Sequence, residues 1–203
     1  VHRVARMALA HLWAAGIDWD PELPPVAALC AEERTALSTQ ITRGINSPLT
    51  SSMGRLFDAV SALIGVRQEA TYEGQAAIEL ETLADPDEES TYPFEFGNGA
   101  IDPVPMWQQL LQDWRSGVPL SILSARFHNS VARMTVEVCE SLRQQFGART
   151  VALSGGVWQN MFLLAITQGQ LEQAGFTVLL HHRLPANDGC IALGQAVVAG
   201  KQL

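Results

Sequence analysis

The sequence predicts an α/β protein with a large helical portion, and three observations carry that expectation. Several long stretches repeat apolar residues every three or four positions, the period of a helix with one buried face. After Arg149 the pattern changes to short apolar runs alternating with helical ones, the strand–helix–strand–helix spacing of a parallel α/β unit. Glycine and proline stand at the changes between segments.

Each element has a local reason. Met7, Leu9, Ala10, Leu12 and Trp13 recur at helical spacing over Val4 to Ala15, and Gly16 stops that helix. Pro24-Pro25 opens a second helical run from about Val26 to Arg43, marked by Leu29, Leu37 and Ile41 and broken at Asn46-Ser47-Pro48. Ser51 or Ser52 caps a third helix that reaches Ile64. A fourth runs from Tyr72 to Ala84, and an acidic loop follows from Asp85 to Ser90. Tyr92, Phe94 and Phe96 fall on one side of an alternating stretch, a strand that turns at Gly97-Asn98-Gly99 into a second short strand. Pro103-Val104-Pro105 starts a helix through Trp107, Leu110, Leu111 and Trp114. Pro119 starts a long one, paced by Leu120, Leu123, Phe127, Val131, Met134, Val138 and Leu142 and ended by Gly147. Thr150 to Leu153 is a strand, Gln159 to Ala174 a helix capped by Gly175, Phe176 to Leu180 a second strand, and Ile191 to Ala199 the closing helix.

The 203 residues are 47 % hydrophobic, enough to bury a core and to exclude intrinsic disorder. No apolar run approaches the ~20 residues of a membrane span, so no membrane association is expected. The net charge of −8 is unevenly spread. No Lys or Arg lies between Arg67 and Arg115, a stretch that carries 11 acids and leaves the rest of the chain at +3. Such a surface repels a nucleic-acid backbone, which disfavours nucleic acid as the partner. Cys30, Cys139 and Cys190 are three and far apart, the usage of reduced thiols in a cytoplasmic protein. The chain starts at Val1 without an initiator Met or a signal-like segment, and the expectation is a fragment of a longer protein.

Three places are candidates for chemistry. Ser154-Gly155-Gly156 joins a strand to a helix, where free backbone N–H groups and the absence of Cβ atoms suit an anionic ligand, although a plain tight turn has the same residues. It lacks the pattern of a nucleophile elbow, so Ser154 is not read as a nucleophile. Asn160, one turn inside the following helix, can hydrogen-bond a base or be a first-turn polar residue. Pro185-Ala-Asn-Asp188-Gly lies where α/β folds place ligands; read from the residues alone, Asp188 is a helix cap before it is a metal ligand. His181 and His182, adjacent on a strand, point to opposite faces and do not chelate together. On the third helix Gly54, Asp58 and Ser61 share a stripe away from the apolar face. A ribose fits against that stripe, and a solvated Asp58 explains it equally. His128-Asn129 reads as a packed histidine or a polar interruption of the long helix.

Taken in order, Ser52-Met-Gly-Arg-Leu-Phe-Asp58-Ala-Val, Tyr72-Glu-Gly-Gln-Ala-Ala, Ala125-Arg-Phe-His-Asn129, Ser154-Gly-Gly-Val-Trp-Gln-Asn160 and Pro185-Ala-Asn-Asp188-Gly resemble the C-terminal part of the hydrogenase maturation carbamoyltransferase family HypF. The resemblance covers the chain from about Arg6 onward. That region of the family is similar to the tRNA threonylcarbamoyltransferase TsaD, with the ribonuclease-H-like fold of the actin, Hsp70 and sugar-kinase superfamily.

The resemblance implies a function and a set of sites. Such enzymes use carbamoyl phosphate and ATP to form carbamoyl adenylate, and pass the carbamoyl group to the C-terminal cysteine of the partner HypE on the way to the cyanide ligands of nickel–iron hydrogenases. Asp58, with Gly54, falls where an Asp holds the ribose. Gly74 and Gln75 fall where a Pro-Gly-Gly stretch meets the nucleotide and Asn160 where an Asn contacts the nucleoside, and Gly155 and Gly156 are taken with them as nucleotide-binding, their backbone N–H groups free to stabilise charge on the carbamoyl oxygen. Asp188 matches a ligand of a divalent metal, zinc, iron or magnesium. Three positions depart from the pattern: Glu73 and Gln75 replace a Pro and a Gly of the TsaD stretch, and Cys190 stands where relatives commonly have a Gly. The histidine metal ligands of the family precede anything in this chain. The expected organisation is a helical part over 1–90 with the Asp58 helix and an α/β lobe over 91–203, together one portion of a transferase domain that is inactive alone. No catalytic residue is assigned. A small-molecule kinase of the same superfamily, and a non-catalytic module that docks a basic partner through the acidic stretch, are the rival readings.

Overall fold

The computed structural model describes residues 2–97 and 99–201. The elements are α1 (Ala5–Ala14), α2 (Pro24–Ala27), α3 (Ala31–Arg43), α4 (Met53–Leu63), α5 (Gln75–Leu83), β1 (Glu95–Gly97), β2 (Ala100–Asp102), α6 (Val104–Arg115), α7 (Leu120–Phe146), β3 (Thr150–Ala152), α8 (Met161–Gln173), β4 (Thr177–Leu179) and α9 (Ile191–Lys201). Short 3-10 turns cover Gly156–Gln159 and Asp188–Cys190. The architecture is mixed α/β with helices in the majority, as the periodicity predicts. The chain forms two compact units, one ending at Phe127 and one starting at His128, so the division falls inside α7.

The first unit is built around α4, which packs against α1, α2 and α5. Leu56, Phe57, Ala59, Val60, Ala62 and Leu63 are all buried, with Asp58 and Ser61 the buried polar residues among them. Leu9 and Leu12 of α1, Leu80 of α5, Trp107 and Leu110 of α6, and Leu123 and Phe127 of α7 are buried in the same unit. Phe57 meets Phe127 edge-on at 4.8 Å between ring centroids, a favourable aromatic geometry. Burying side chains of this size supplies about 1.5–3 kcal/mol each, so the helical core rather than the small sheet holds this unit.

Three elements differ from the sequence reading. The run over 26–43 is two helices, α2 and α3, because Arg34 donates to the carbonyls of Val26 and Leu29 at 3.0 and 2.6 Å and satisfies a helix end at the break. The helix expected from Tyr72 begins at Gln75, because Gly74 is left-handed at φ 77°. The aromatic alternation is not one long strand: β1 and β2 pair antiparallel over three residues, Glu95 opposite Asp102, Phe96 opposite Ile101 and Gly97 opposite Ala100. Tyr92 is pulled into the core instead, with its hydroxyl donating to Asp113 at 3.1 Å. Asn98, the middle of the predicted turn, lies outside the described residues.

The acidic loop is tied down. Arg126 of α7 pairs with Glu88 at 3.2 Å and with Asp113 of α6 at 2.8 Å. That arrangement leaves Asp87 and Glu89 exposed and makes Glu88 part of the packing.

In the second unit β3 and β4 are parallel, with Thr150 opposite Thr177, Val151 opposite Val178 and Ala152 opposite Leu179. The crossover between them contains α8, as parallel pairing requires. Leu153, Leu171 and Phe176 form the core, flanked by Val136, Cys139, Val151, Trp158 and Leu164. Arg143 of α7 lies over the Phe176 ring at 4.4 Å and donates to the Ala174 carbonyl at 2.7 Å, closing the C-terminus of α8. The three cysteines are free thiols. No helix of the described residues is long and apolar enough to cross a membrane.

Candidate functional site

Parallel strands send both of their C-terminal loops to the same end of the sheet, and in the second unit this brings two predicted motifs together. The Gly155 N–H donates to the Ala186 carbonyl at 2.7 Å, and the His181 Nε2 lies 3.0 Å from the Ser154 Oγ. The Ser-Gly-Gly turn and the Pro185–Gly189 loop therefore form one surface. Gly155 sits at φ 111°, a conformation closed to other residues. A Cβ on Gly156 would face the Asn187 Cβ at 3.9 Å, so the main chain is bare where the two loops meet.

This geometry corrects four expectations. The Gly155 N–H is not free for a ligand, because it joins the loops. Asn160 is not inside the helix: it is the N-cap of α8, its Oδ1 accepting from the Leu163 N–H at 2.8 Å. Asp188 is not the cap of the closing turn, because Asn187 holds that place and accepts from the Gly189 N–H at 3.0 Å. The carboxylate of Asp188 is exposed. His181 and His182 lie beyond β4, which ends at Leu179, so strand alternation does not govern them; His181 is engaged with Ser154.

The buried side of α8 carries a second arrangement. Asn160 Nδ2 lies 2.9 Å from His128 Nε2, both residues are buried, and Phe162 packs edge-on against the imidazole at 5.4 Å. His128 is thus a packed histidine, one of the two readings its sequence context allowed, and its partner is the Asn of the glycine motif.

In the first unit Asp58 is 3 % exposed, which removes the solvated reading. Hydrophobic neighbours occupy the helix on either side, and burial pushes its carboxyl above the usual carboxylate range. Arg55, one turn earlier, opposes that shift with an ion pair at 2.8 Å. Gly54 is half-buried on the preceding turn, with room for a Cβ beside Ser52. Ser61, one turn after Asp58, is buried.

Gly74 and Gln75 start α5, the helix that packs beside α4. Gln75 is buried and its amide is engaged at both ends: Oε1 accepts from the Thr71 N–H at 2.8 Å and its hydroxyl at 3.1 Å, and Nε2 donates to Glu79 at 2.9 Å. Glu79 in turn takes two hydrogen bonds from Arg67, at 2.7 and 2.6 Å, which hold its carboxyl below the usual range. The Gln75 side chain thus braces the Gly74 turn.

Among the described residues no three His, Cys, Asp or Glu side chains gather as a metal site. A hard oxygen donor such as Asp188 fits a divalent cation as one member of a larger set.

Sequence reasoning missed Arg55, Thr71, Glu79 and Asn187. Arg55 was detectable as a cation three residues before Asp58. Thr71 and Glu79 were not, because neither lies in a recognisable motif.

Comparison with known proteins identifies the family. Residues 1–195 match the family described as the carbamoyltransferase Kae1-like domain, second subdomain. The carbamoyltransferase HypF of Rhodobacter capsulatus is 40 % identical over 200 residues, covering 98 % of this chain and 25 % of that protein. HypF of Synechocystis is 42 % identical over 154 residues, 73 % of this chain and 19 % of that one. A crystal structure of full-length HypF in its phosphate- and nucleotide-bound form superposes with a TM-score of 0.91 at 38 % identity, over 100 % of this chain and 27 % of that one. The chain thus spans about a quarter of the length of the relatives it matches. The match over residues 1–195, with relatives at about 40 % identity along nearly the whole chain, places this chain in the carbamoyltransferase HypF family, as the second subdomain of the Kae1-like domain.

Proposed function

We propose that this chain is the nucleotide-facing part of an enzyme that transfers a carbamoyl group. The intact protein converts carbamoyl phosphate, ATP and water to carbamoyl adenylate, phosphate and pyrophosphate, and hands the carbamoyl group to the C-terminal cysteine thiolate of HypE, with AMP as the leaving group, in the maturation of nickel–iron hydrogenases. The observation that carries the reading is the joined pair of glycine loops at the C-terminal ends of β3 and β4, in a fold that superposes on a HypF structure with nucleotide and phosphate bound.

In this reading each residue has a separate task. The carboxylate of Asp58, paired with Arg55, accepts from the ribose hydroxyls. Gly74 and Gln75 offer the start of α5, with the Gln75 side chain bracing the turn rather than touching the ligand. Gly155 spends its N–H on fixing the loops, and Gly156 lets phosphate oxygens approach the main chain at the start of the 3-10 turn. Asn160 presents what remains of its amide to the nucleoside. Asp188 contributes one carboxylate to a divalent metal completed by residues outside this chain. That metal supplies Lewis-acid polarisation of the carbamoyl oxygen, on which negative charge grows during attack by a thiolate.

The experiment is a pair of measurements on the full-length enzyme. Carbamoyl phosphate should stimulate release of pyrophosphate from ATP, whereas a small-molecule kinase would transfer the γ-phosphoryl group and release none. Asp188→Ala should lower both the bound metal and carbamoyl transfer at least tenfold. Unchanged metal content with unchanged transfer removes Asp188 from the site. The 203-residue chain by itself should show no turnover.

A further inference from the structure

Asn160 is held from two sides, and the two bonds together determine more than either does alone. The Leu163 backbone N–H can only donate, so the side-chain atom 2.8 Å from it must be the amide oxygen. The amide nitrogen therefore faces His128 Nε2 at 2.9 Å and can only donate to it. Nε2 must then be the unprotonated nitrogen, with the imidazole neutral and its proton on Nδ1. His128 is fully buried and packed edge-on against Phe162. With these bonds made, the Asn160 amide retains one N–H and one oxygen lone pair for any ligand.

We infer that His128 is a positioning residue for nucleotide binding: by accepting from Asn160 Nδ2 it fixes which way the amide points, and so which donor and acceptor the nucleotide meets. The bond spans 32 residues of sequence and ties α7 to the start of α8 within the second unit. Without it the amide can turn about its χ2 bond, and the cap to Leu163 must compete with the ligand for the same atoms. The inference rests on the reading that Asn160 contacts the nucleotide.

The test uses two polar replacements of similar character in the full-length enzyme. Gln carries an amide oxygen close to the place of Nε2 and can still accept from Asn160, whereas Asn is one carbon shorter and cannot reach. With ATP as the titrated substrate and pyrophosphate release as the assay, His128→Gln should keep the KM within about threefold of wild type. His128→Asn should raise it about tenfold with kcat changed less, the size expected for losing one buried hydrogen bond. Asn160→Ala should raise the KM by at least as much as His128→Asn, and adding His128→Asn to it should cause little further loss, because the two residues act through one bond.

Each outcome decides something. If Asn160→Ala raises the KM and His128→Asn does not, His128 has no positioning role and the nucleotide reading of Asn160 stands. If His128→Gln is as impaired as His128→Asn, acceptance at Nε2 is not what His128 provides, and the inference is overturned. If Asn160→Ala leaves the KM unchanged, the nucleotide reading of Asn160 fails and the inference falls with it.

Discussion

Arg55 and Asp58 form an ion pair at 2.8 Å on one face of α4, with the carboxylate almost completely removed from solvent. Burial alone would favour the neutral acid, and the guanidinium one turn away is the group that opposes it. In the proposed function this carboxylate accepts from the ribose hydroxyls, so the pair bears on nucleotide binding as well as on the helix. Arg55→Met in the full-length enzyme should raise the KM for ATP about tenfold at pH 7, in line with stranding a buried charge whose partner is itself partly exposed. The defect should grow as the pH falls, because Asp58 without Arg55 takes up its proton at higher pH than in the wild type. Initial rates across a pH series check this, and a KM that is unchanged at every pH contradicts it.

Glu79 shifts in the opposite direction from Asp58. Arg67 holds its carboxyl below the usual range, so the folded state binds that proton less readily than the unfolded state. Its contribution to stability is therefore complete above the ordinary carboxylate range and is lost as the pH falls through that range toward the depressed value. Glu79→Gln should cost about 1 kcal/mol at pH 7, since the pair is partly exposed, and less at pH 3. Thermal melts of the 203-residue chain at the two pH values measure the difference.

The cap on α8 predicts a stability effect separate from any ligand. Asn160→Ala removes the acceptor for the Leu163 N–H and leaves His128 without this partner, for an expected loss of about 2 kcal/mol. Asn160→Asp keeps an oxygen for the cap and should recover about half of it. Denaturant unfolding of the three proteins gives the comparison; equal losses for Ala and Asp mean that the cap contributes nothing.

The acidic loop separates surface charge from packing. Asp87→Lys and Glu89→Lys, both exposed, should shift stability by less than about 0.5 kcal/mol. Glu88→Lys places a second cation against Arg126 and should cost about 2 kcal/mol. A basic partner that docks on this loop would be lost with the Asp87 and Glu89 substitutions, so binding assays with those two variants test that role without disturbing the fold.

Much of the fold can be read along the chain. The starts of α6 and α7 and the ends of α7 and α8 follow from proline and glycine punctuation and an apolar period, which act over one or two turns. The same holds for the parallel unit after Arg149, whose two strands are set off by glycines. The errors fall where a distant or irregular partner decides. Arg34 breaks a helix by reaching back to Val26 and Leu29, and Tyr92 leaves a regular alternation to bond Asp113, 21 residues away.

For the candidate site the division follows the same line. The sequence by itself determined which residue types are available: the glycines of the two loops, a carboxylate at 58 and another at 188, and an amide at 160. Only the tertiary structure decided their states. Asp58 is buried and needs Arg55; the Gly155 N–H is consumed by Ala186; Asn187 rather than Asp188 is the cap; and Asn160 is turned by a histidine 32 residues before it. The reason is physical. Propensity and periodicity are local properties of the backbone, whereas burial and hydrogen-bond pairing are created when segments far apart in sequence exclude water together.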